Sequence, residues 1–228
     1  MPTRKPTSAP ASRPDATRRR ILEAAERLLR GGGADFAMRD LAAEAGVSFA
    51  TPFNQFGSKV AILQAISAAR IDAMAARFAE EKAAGDAAER VLSAVAIASA
   101  VMLADPQVNR AVIGSLGAPS DDPGQVQARS RRLWAEAIGA GEGFEPGLAA
   151  LGRRVLPDHL AMAFRGVLSF WTAGEIADAA LPGRAEGAAA ALMLGFVGTQ
   201  RRAALAGRLA PDGEALPAPG RQPGPDGP

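Results

Sequence analysis

The stretch FAMRDLAAEAGVSFATPFNQFGSK, residues 36–59, decides how the chain is read. Met38, Leu41, Ala42 and Ala45 recur at helical spacing and predict a short helix over 38–45, with Asp35 available to cap it. Gly46 stands where a helix end calls for a left-handed residue, and Ser48 where the next helix calls for a cap. A second helix over 49–56 is closed by Gly57. Its start has two readings: Thr51 caps a helix beginning at Pro52, or Pro52 sits in the first turn of one beginning near Phe49. Two short helices joined by so tight a turn form a helix-turn-helix. Ala42 is small where they cross, Leu41 and Val47 pin them together, and the second helix projects as a major-groove reader does.

The flanking sequence is helical as well. Ile21, Leu22, Ala25, Leu28 and Leu29 make one stripe of a helix over 16–30, with Asp15 as cap and Gly31-Gly32-Gly33 as stop. Ser58 caps a long helix over 59–84. Punctuation by Pro and Gly then predicts helices over 87–104, 107–116, 125–138, 148–155, 158–180 and 184–209, with a turn at 120–123. No run alternates with a strand period. The expected fold is all-α. Residues 1–14 form a disordered tail and residues 15–62 a three-helix domain with the helix-turn-helix. Residues 63–210 form a larger helical domain, and the Pro- and Gly-rich residues 211–228 a second tail.

Composition removes several functions. The chain has no Cys, which excludes disulfides, Cys-ligated zinc, iron–sulfur clusters and thiol nucleophiles, and a single His, which excludes a multi-histidine metal site. No cofactor and no metal are expected. The longest uncharged apolar-rich runs, 91–104 and 187–200, fall short of the ~18–20 residues that cross a bilayer. The first residues have charge but no apolar core, unlike a secretory signal, so the cytoplasm is the expected compartment. Net charge is +2, yet residues 1–59 hold ten basic and six acidic side chains, leaving −2 for the rest. That asymmetry suits one end that meets a polyanion, or a solvated basic tail.

Residues 17–63 resemble the DNA-binding domain of the tetracycline-repressor (TetR) family. The likeness is carried by Thr17-Arg18, Ile21, Ala24-Ala25, Arg39-Asp40-Leu41-Ala42, Ala45-Gly46-Val47-Ser48, Phe53, Phe56, Ser58, Lys59 and Leu63. Three positions depart from the family pattern: Phe36 replaces a common Thr or Ser, Pro52 lies in the recognition helix, and Phe53 replaces the usual Tyr. The resemblance implies a homodimeric transcription regulator, usually a repressor, that a small ligand releases from a palindromic operator. Under it, Lys59 and Thr51 face phosphates and Arg39 a phosphate or a base edge. Asn54 and Gln55 pair with adenine, and Phe49 and Ala50 touch thymine methyls. Ser48 and Phe53 complete the contact set, and Arg18, Arg19 and Arg20 add backbone or minor-groove contacts.

The helices near 158–180 and 184–209 suit a dimer interface. Leu160, Phe164, Val167, Leu168, Trp171 and Ile176 lie on the first, and Leu192, Leu194, Phe196, Val197 and Leu205 on the second. Gly166, Gly174, Ala189, Ala190 and Gly195 allow close approach; the other reading is that these faces bury each other within one chain. A ligand pocket is expected among Met102, Ile113, Trp134, Ile138, Met162, Phe164 and Trp171, with His159 or Arg165 as polar handle, and it favours a hydrophobic or aromatic ligand. An enzyme is a poor alternative: no Ser lies in a nucleophile elbow, and the Gly-rich runs lack the strand or the Lys-Ser/Thr of a phosphate loop. A helical interaction module of the same fold that has lost sequence-specific DNA binding is a second alternative, favoured by the apolar Phe49, Pro52 and Phe53.

Overall fold

Ten α-helices and one 3-10 turn make up residues 13–31, 35–117 and 125–209, the part of the chain that the structure, a computed structural model, describes. The expected tail over 211–228, the turn at 120–123, Gly32-Gly33 and residues 1–12 lie outside it. The first helix begins earlier than expected: α1 spans Arg13–Arg30, which puts Asp15 in its first turn, where a carboxylate favours the helix dipole.

The helix-turn-helix is α2 (Met38–Glu44) and α3 (Ala50–Phe56). Gly46 adopts φ +62° after α2, the left-handed conformation that lets the chain turn within three residues. Arg20 reaches across from α1 and donates through Nη2 to the carbonyls of Ala45 (2.7 Å) and Gly46 (3.2 Å), so carbonyls left over at the end of α2 are satisfied. Asp35 does not cap α2: the cap residue is Ala37, and Asp35 accepts from the Phe36 amide at 2.8 Å instead. Of the two readings of Pro52, the second holds. It lies in the first turn of α3, where a missing N–H leaves no bond unmade, and its ring is buried.

Ser58 caps α4 (Lys59–Glu81) by accepting from the Ala61 amide at 3.1 Å. α4 stops at Glu81 rather than 84, because Lys82 takes the left-handed conformation. α5 spans Ala87–Leu103 behind a capping box made by Asp86 and Glu89, and α6 spans Pro106–Ser115 with Pro at its first turn. α7 spans Val126–Ile138. α8 (Ala149–Thr172) runs straight through Pro157, which the sequence reading took as a break. Pro157 keeps a helical φ and forfeits one hydrogen bond; it lies buried between Leu156 and Leu160, and that burial offsets a cost of about 3 kcal/mol. α8 ends near Gly174 (φ +82°) rather than at 180, and Trp171 Nε1 donates to Asp178 Oδ1 at 2.7 Å to hold the turn. The expected last helix is two, α9 (Leu181–Met193) and α10 (Thr199–Gly207). Between them Val197 forms an antiparallel bridge with Phe144, and the Glu145 amide donates to the Phe196 carbonyl at 2.8 Å.

Two cores result. The N-terminal core joins Ile21 and Leu29 of α1, Leu41 of α2, and Ile62 and Ile66 of α4 to Val108 and Val112 of α6. The larger core gathers Val91, Ala98, Trp134, Leu160, Trp171, Ala190 and Met193 from α5, α7, α8 and α9. Arg90 locks α5 to the end of α7, donating to the carbonyls of Gly85 (2.6 Å), Ala137 (3.0 Å) and Ile138 (2.8 Å) and to Glu142 (2.5 Å). Among the described residues no single helix is long and apolar enough to cross a membrane.

Two substitutions test these anchors. Gly46→Ala forces a Cβ to 3.1 Å from the Arg20 guanidinium at a left-handed φ, and should lower stability by about 1–2 kcal/mol in urea unfolding. Arg90→Met strands three backbone carbonyls, and the expected loss is about 2–3 kcal/mol; an unchanged urea midpoint would remove Arg90 from that role.

Candidate functional site

The free face of α3 is mostly apolar. Phe49 and Phe53 are 57% and 40% exposed, one helical turn apart, with rings edge-to-face at 5.6 Å. Ala50 and Asn54 are exposed beside them, and Gln55 is half-buried. Thr51 shares a 2.7 Å hydrogen bond with Ser48, hydroxyl to hydroxyl, which fixes both side chains at the start of α3. Ser48 therefore does not cap α3 with its side chain; the cap residue is Phe49 and carries no side-chain cap bond. The residues predicted to contact DNA over 48–55 thus lie on α3 and the two residues before it, with Arg39 exposed on α2.

Cations around α3 are mostly committed within the chain. Arg18 Nη1 donates to the Gln55 carbonyl at 2.6 Å, and its guanidinium lies 4.1 Å from the centre of the Phe56 ring. It neutralises the carbonyl end of α3 instead of reaching outward as an arm. Arg20 is spent on the turn, and Arg27 pairs with Glu44 at 2.5 Å. Arg19 stays exposed, 3.6 Å from Glu23. Lys59 opens α4 and pairs with Asp35, with its ammonium 5.0 Å from the centre of the Phe36 ring. Partial burial draws its pKa below the ordinary lysine value. A phosphate at this helix start would exchange with Asp35 for the same ammonium.

A second site lies deeper. A cavity of about 560 Å³ is enclosed by α4, α6, α7 and α8, with Met102 reaching in from α5. Met102, Ile113, Trp134, Met162, Phe164 and Arg165 line it as the sequence suggested. Ile138, His159 and Trp171 do not. Ile138 is core beneath Arg90, and Trp171 is core beneath the Arg110 guanidinium, 4.5 Å from its ring centre. His159 is on the outer side of α8, with Nδ1 2.8 Å from the Val155 carbonyl. The sequence reading missed the α4 wall, Val60, Gln64, Ser67, Arg70, Ile71 and Met74, because an apolar helical stripe reads as core whether it faces packing or space. Arg70 on this wall binds Glu26 of α1 at 2.9 Å and Asn109 of α6 at 3.0 Å.

The side chains expected at a dimer interface are largely internal. Leu160, Phe164, Leu168, Trp171, Ala189, Ala190, Val197 and Leu205 are buried in the larger core, and Val167, Ile176, Leu192, Leu194 and Phe196 pack on it. The outward stripe of α8 is instead Leu151, His159, Met162, Gly166 and Phe170, with Met162 and Phe170 61% and 54% exposed.

Residues 21–66 match the family model for bacterial regulatory proteins of the tetR family. The fold is similar to a TetR transcriptional regulator from Rhodococcus sp. RHA1, at TM-score 0.62 and 24% identity over 78% of this chain and 97% of that one. It is also similar to TylP, a TetR regulator from Streptomyces fradiae, at TM-score 0.54 and 17% identity over 87% and 96%. A third likeness is to a gamma-butyrolactone receptor described as ArpA-like, at TM-score 0.50 and 20% identity over 87% and 98%. No curated protein sequence matches. The helix-turn-helix segment is thus matched in sequence by the tetR family model, and the helical body shares the fold of these TetR regulators.

Proposed function

We propose that the protein is a homodimeric repressor that binds a palindromic operator in the cytoplasm and is released by a small, mainly hydrophobic ligand. The observation that carries this reading is the double duty of α4 and α6. α4 begins at the DNA face with Lys59 and lines the cavity from Val60 to Met74. α6 puts Val108 and Val112 into the N-terminal core while Val112, Ile113 and Leu116 line the same cavity. A ligand that spreads these helices alters the seat of α3 without touching it. The bound state loses affinity for DNA by the ratio of ligand affinities in the two arrangements.

The dimer is supported by the outward face of α8. A methyl group added at Gly166 on α8, or at Gly183 and Gly195 near the ends of α9, would meet nothing within 4 Å, so packing within the chain does not explain their smallness. A second copy closing on Met162 and Phe170 would. Two copies also present two α3 helices, as a palindrome of half-sites about 34–36 Å apart requires.

At the start of α3 and along it, Phe49 and Phe53 read thymine methyls, Asn54 and Gln55 read adenine, and Thr51, with Arg39 of α2 and Lys59 of α4, holds phosphates. The exposed Phe pair also favours the second reading, an interaction module that no longer reads DNA. Selection from a random duplex pool separates the two: enrichment of an inverted repeat is expected, and its absence at low salt favours the module.

Two further outcomes are expected on the selected site. Lys59→Ala should weaken specific and nonspecific binding alike and lower the salt slope by about one. Replacing each contacted thymine by deoxyuridine should cost about 4-fold, the value of one buried methyl. Indifference to uracil would remove Phe49 and Phe53 from base reading.

A further inference from the structure

We infer that the ligand of the cavity is a mostly apolar monocarboxylate whose head group is held by Arg165. This rests on reading the cavity as the effector site. The charge pattern of its wall makes the argument. Arg70 and Arg165 line it, and among the described residues no Asp or Glu does. Arg70 is already neutralised by Glu26 at 2.9 Å, and Asn109 takes a further donor at 3.0 Å. Among the described residues Arg165 has no such partner. Its one hydrogen bond among the described residues goes from Nη2 to the Ile113 carbonyl at 3.1 Å, and no carboxylate pairs with it there. Burial lowers the pKa of this guanidinium.

A guanidinium has five N–H donors in a planar fork. One is used among the described residues, and the side chain lines a cavity walled mainly by apolar side chains such as Ile71, Met74, Leu133, Trp134 and Phe164. Withdrawing a cation from water without a counter-charge is costly, and a carboxylate that docks bidentately removes that cost. One uncompensated cation calls for one negative charge, which disfavours phosphate dianions and dicarboxylates. The apolar remainder of a 560 Å³ space calls for an aliphatic or aromatic body on that carboxylate.

The test is a fluorescence titration of the full chain with two matched pairs, decanoate against decanol and 4-phenylbutyrate against 4-phenylbutanol. Trp134 lines the cavity and reports occupancy, while Trp171 lies outside it. At least one acid should bind roughly 10-fold or more tighter than its alcohol, the effect of a buried charge-assisted hydrogen bond pair. Arg165→Met and Arg165→Gln should abolish that preference while leaving alcohol binding within about 2-fold, which also shows that the variants remain folded. Equal binding of acid and alcohol, a preference that survives both variants, or no binding by either acid would overturn the inference. DNA release followed in the same titrations separates it from the reading beneath: acid binding that leaves DNA bound sinks the effector role and keeps the carboxylate site. Release driven equally by the alcohols keeps the effector role and sinks the carboxylate site.

Discussion

The continuity of α4 is the constraint on which the rest of the molecule depends. Twenty-three residues of unbroken helix extend about 35 Å, and a rod of that length transmits displacement without absorbing it. Its first turn is fixed by Ser58 and carries Lys59; its next two turns bury Ile62, Leu63 and Ile66 among α1, α2 and α6; its far end buries Met74 in the larger core. The N-terminal domain that carries the helix-turn-helix is therefore not closed on itself. Val108 and Val112 of α6 complete its core from the other side. The cavity between α4 and α6 thus borders both supports of the helix-turn-helix.

Polar contacts reinforce this junction. Arg30 of α1 binds Asp105 at the start of α6 at 2.5 Å, Gln107 donates to the Leu29 carbonyl at 3.3 Å, and Arg70 joins Glu26 to Asn109. Asn109 is buried and fully used, since its amide donates to the carbonyls of Val101 and Met102 at 3.2 and 2.8 Å. These bonds are directional and the apolar contacts are not, so α6 keeps its angle to α1 by hydrogen bonding and its depth by burial. Most of the exposed pairs add little energy each. Their value is in register.

The same economy explains why charge counting overstated the basic face. Residues 1–59 carry the surplus of cations, but Arg18 and Arg20 satisfy helix ends, Arg27 and Arg30 pair with acids, and Lys59 pairs with Asp35. What α3 presents is the Phe49–Phe53 pair. An interface built on this face would rest more on shape and apolar contact than the sequence charge suggests.

The sequence alone determined the all-helical class, the helix-turn-helix and its turn at Gly46, because these follow from local rules: periodicity, caps and a backbone angle that glycine tolerates. It also placed six residues that line the cavity, five of them large apolar side chains and the sixth Arg165. It could not tell that Pro157 would be carried inside α8, that α9 and α10 would part at the Phe144–Val197 bridge, or that Leu160 and Trp171 would turn inward. Nor could it tell that Arg70 would join the same wall with Glu26 as its partner, while Arg165 would have no acid beside it among the described residues. Each of these depends on which residues distant in sequence become neighbours. A proline or a cation has no fixed cost until packing decides what surrounds it.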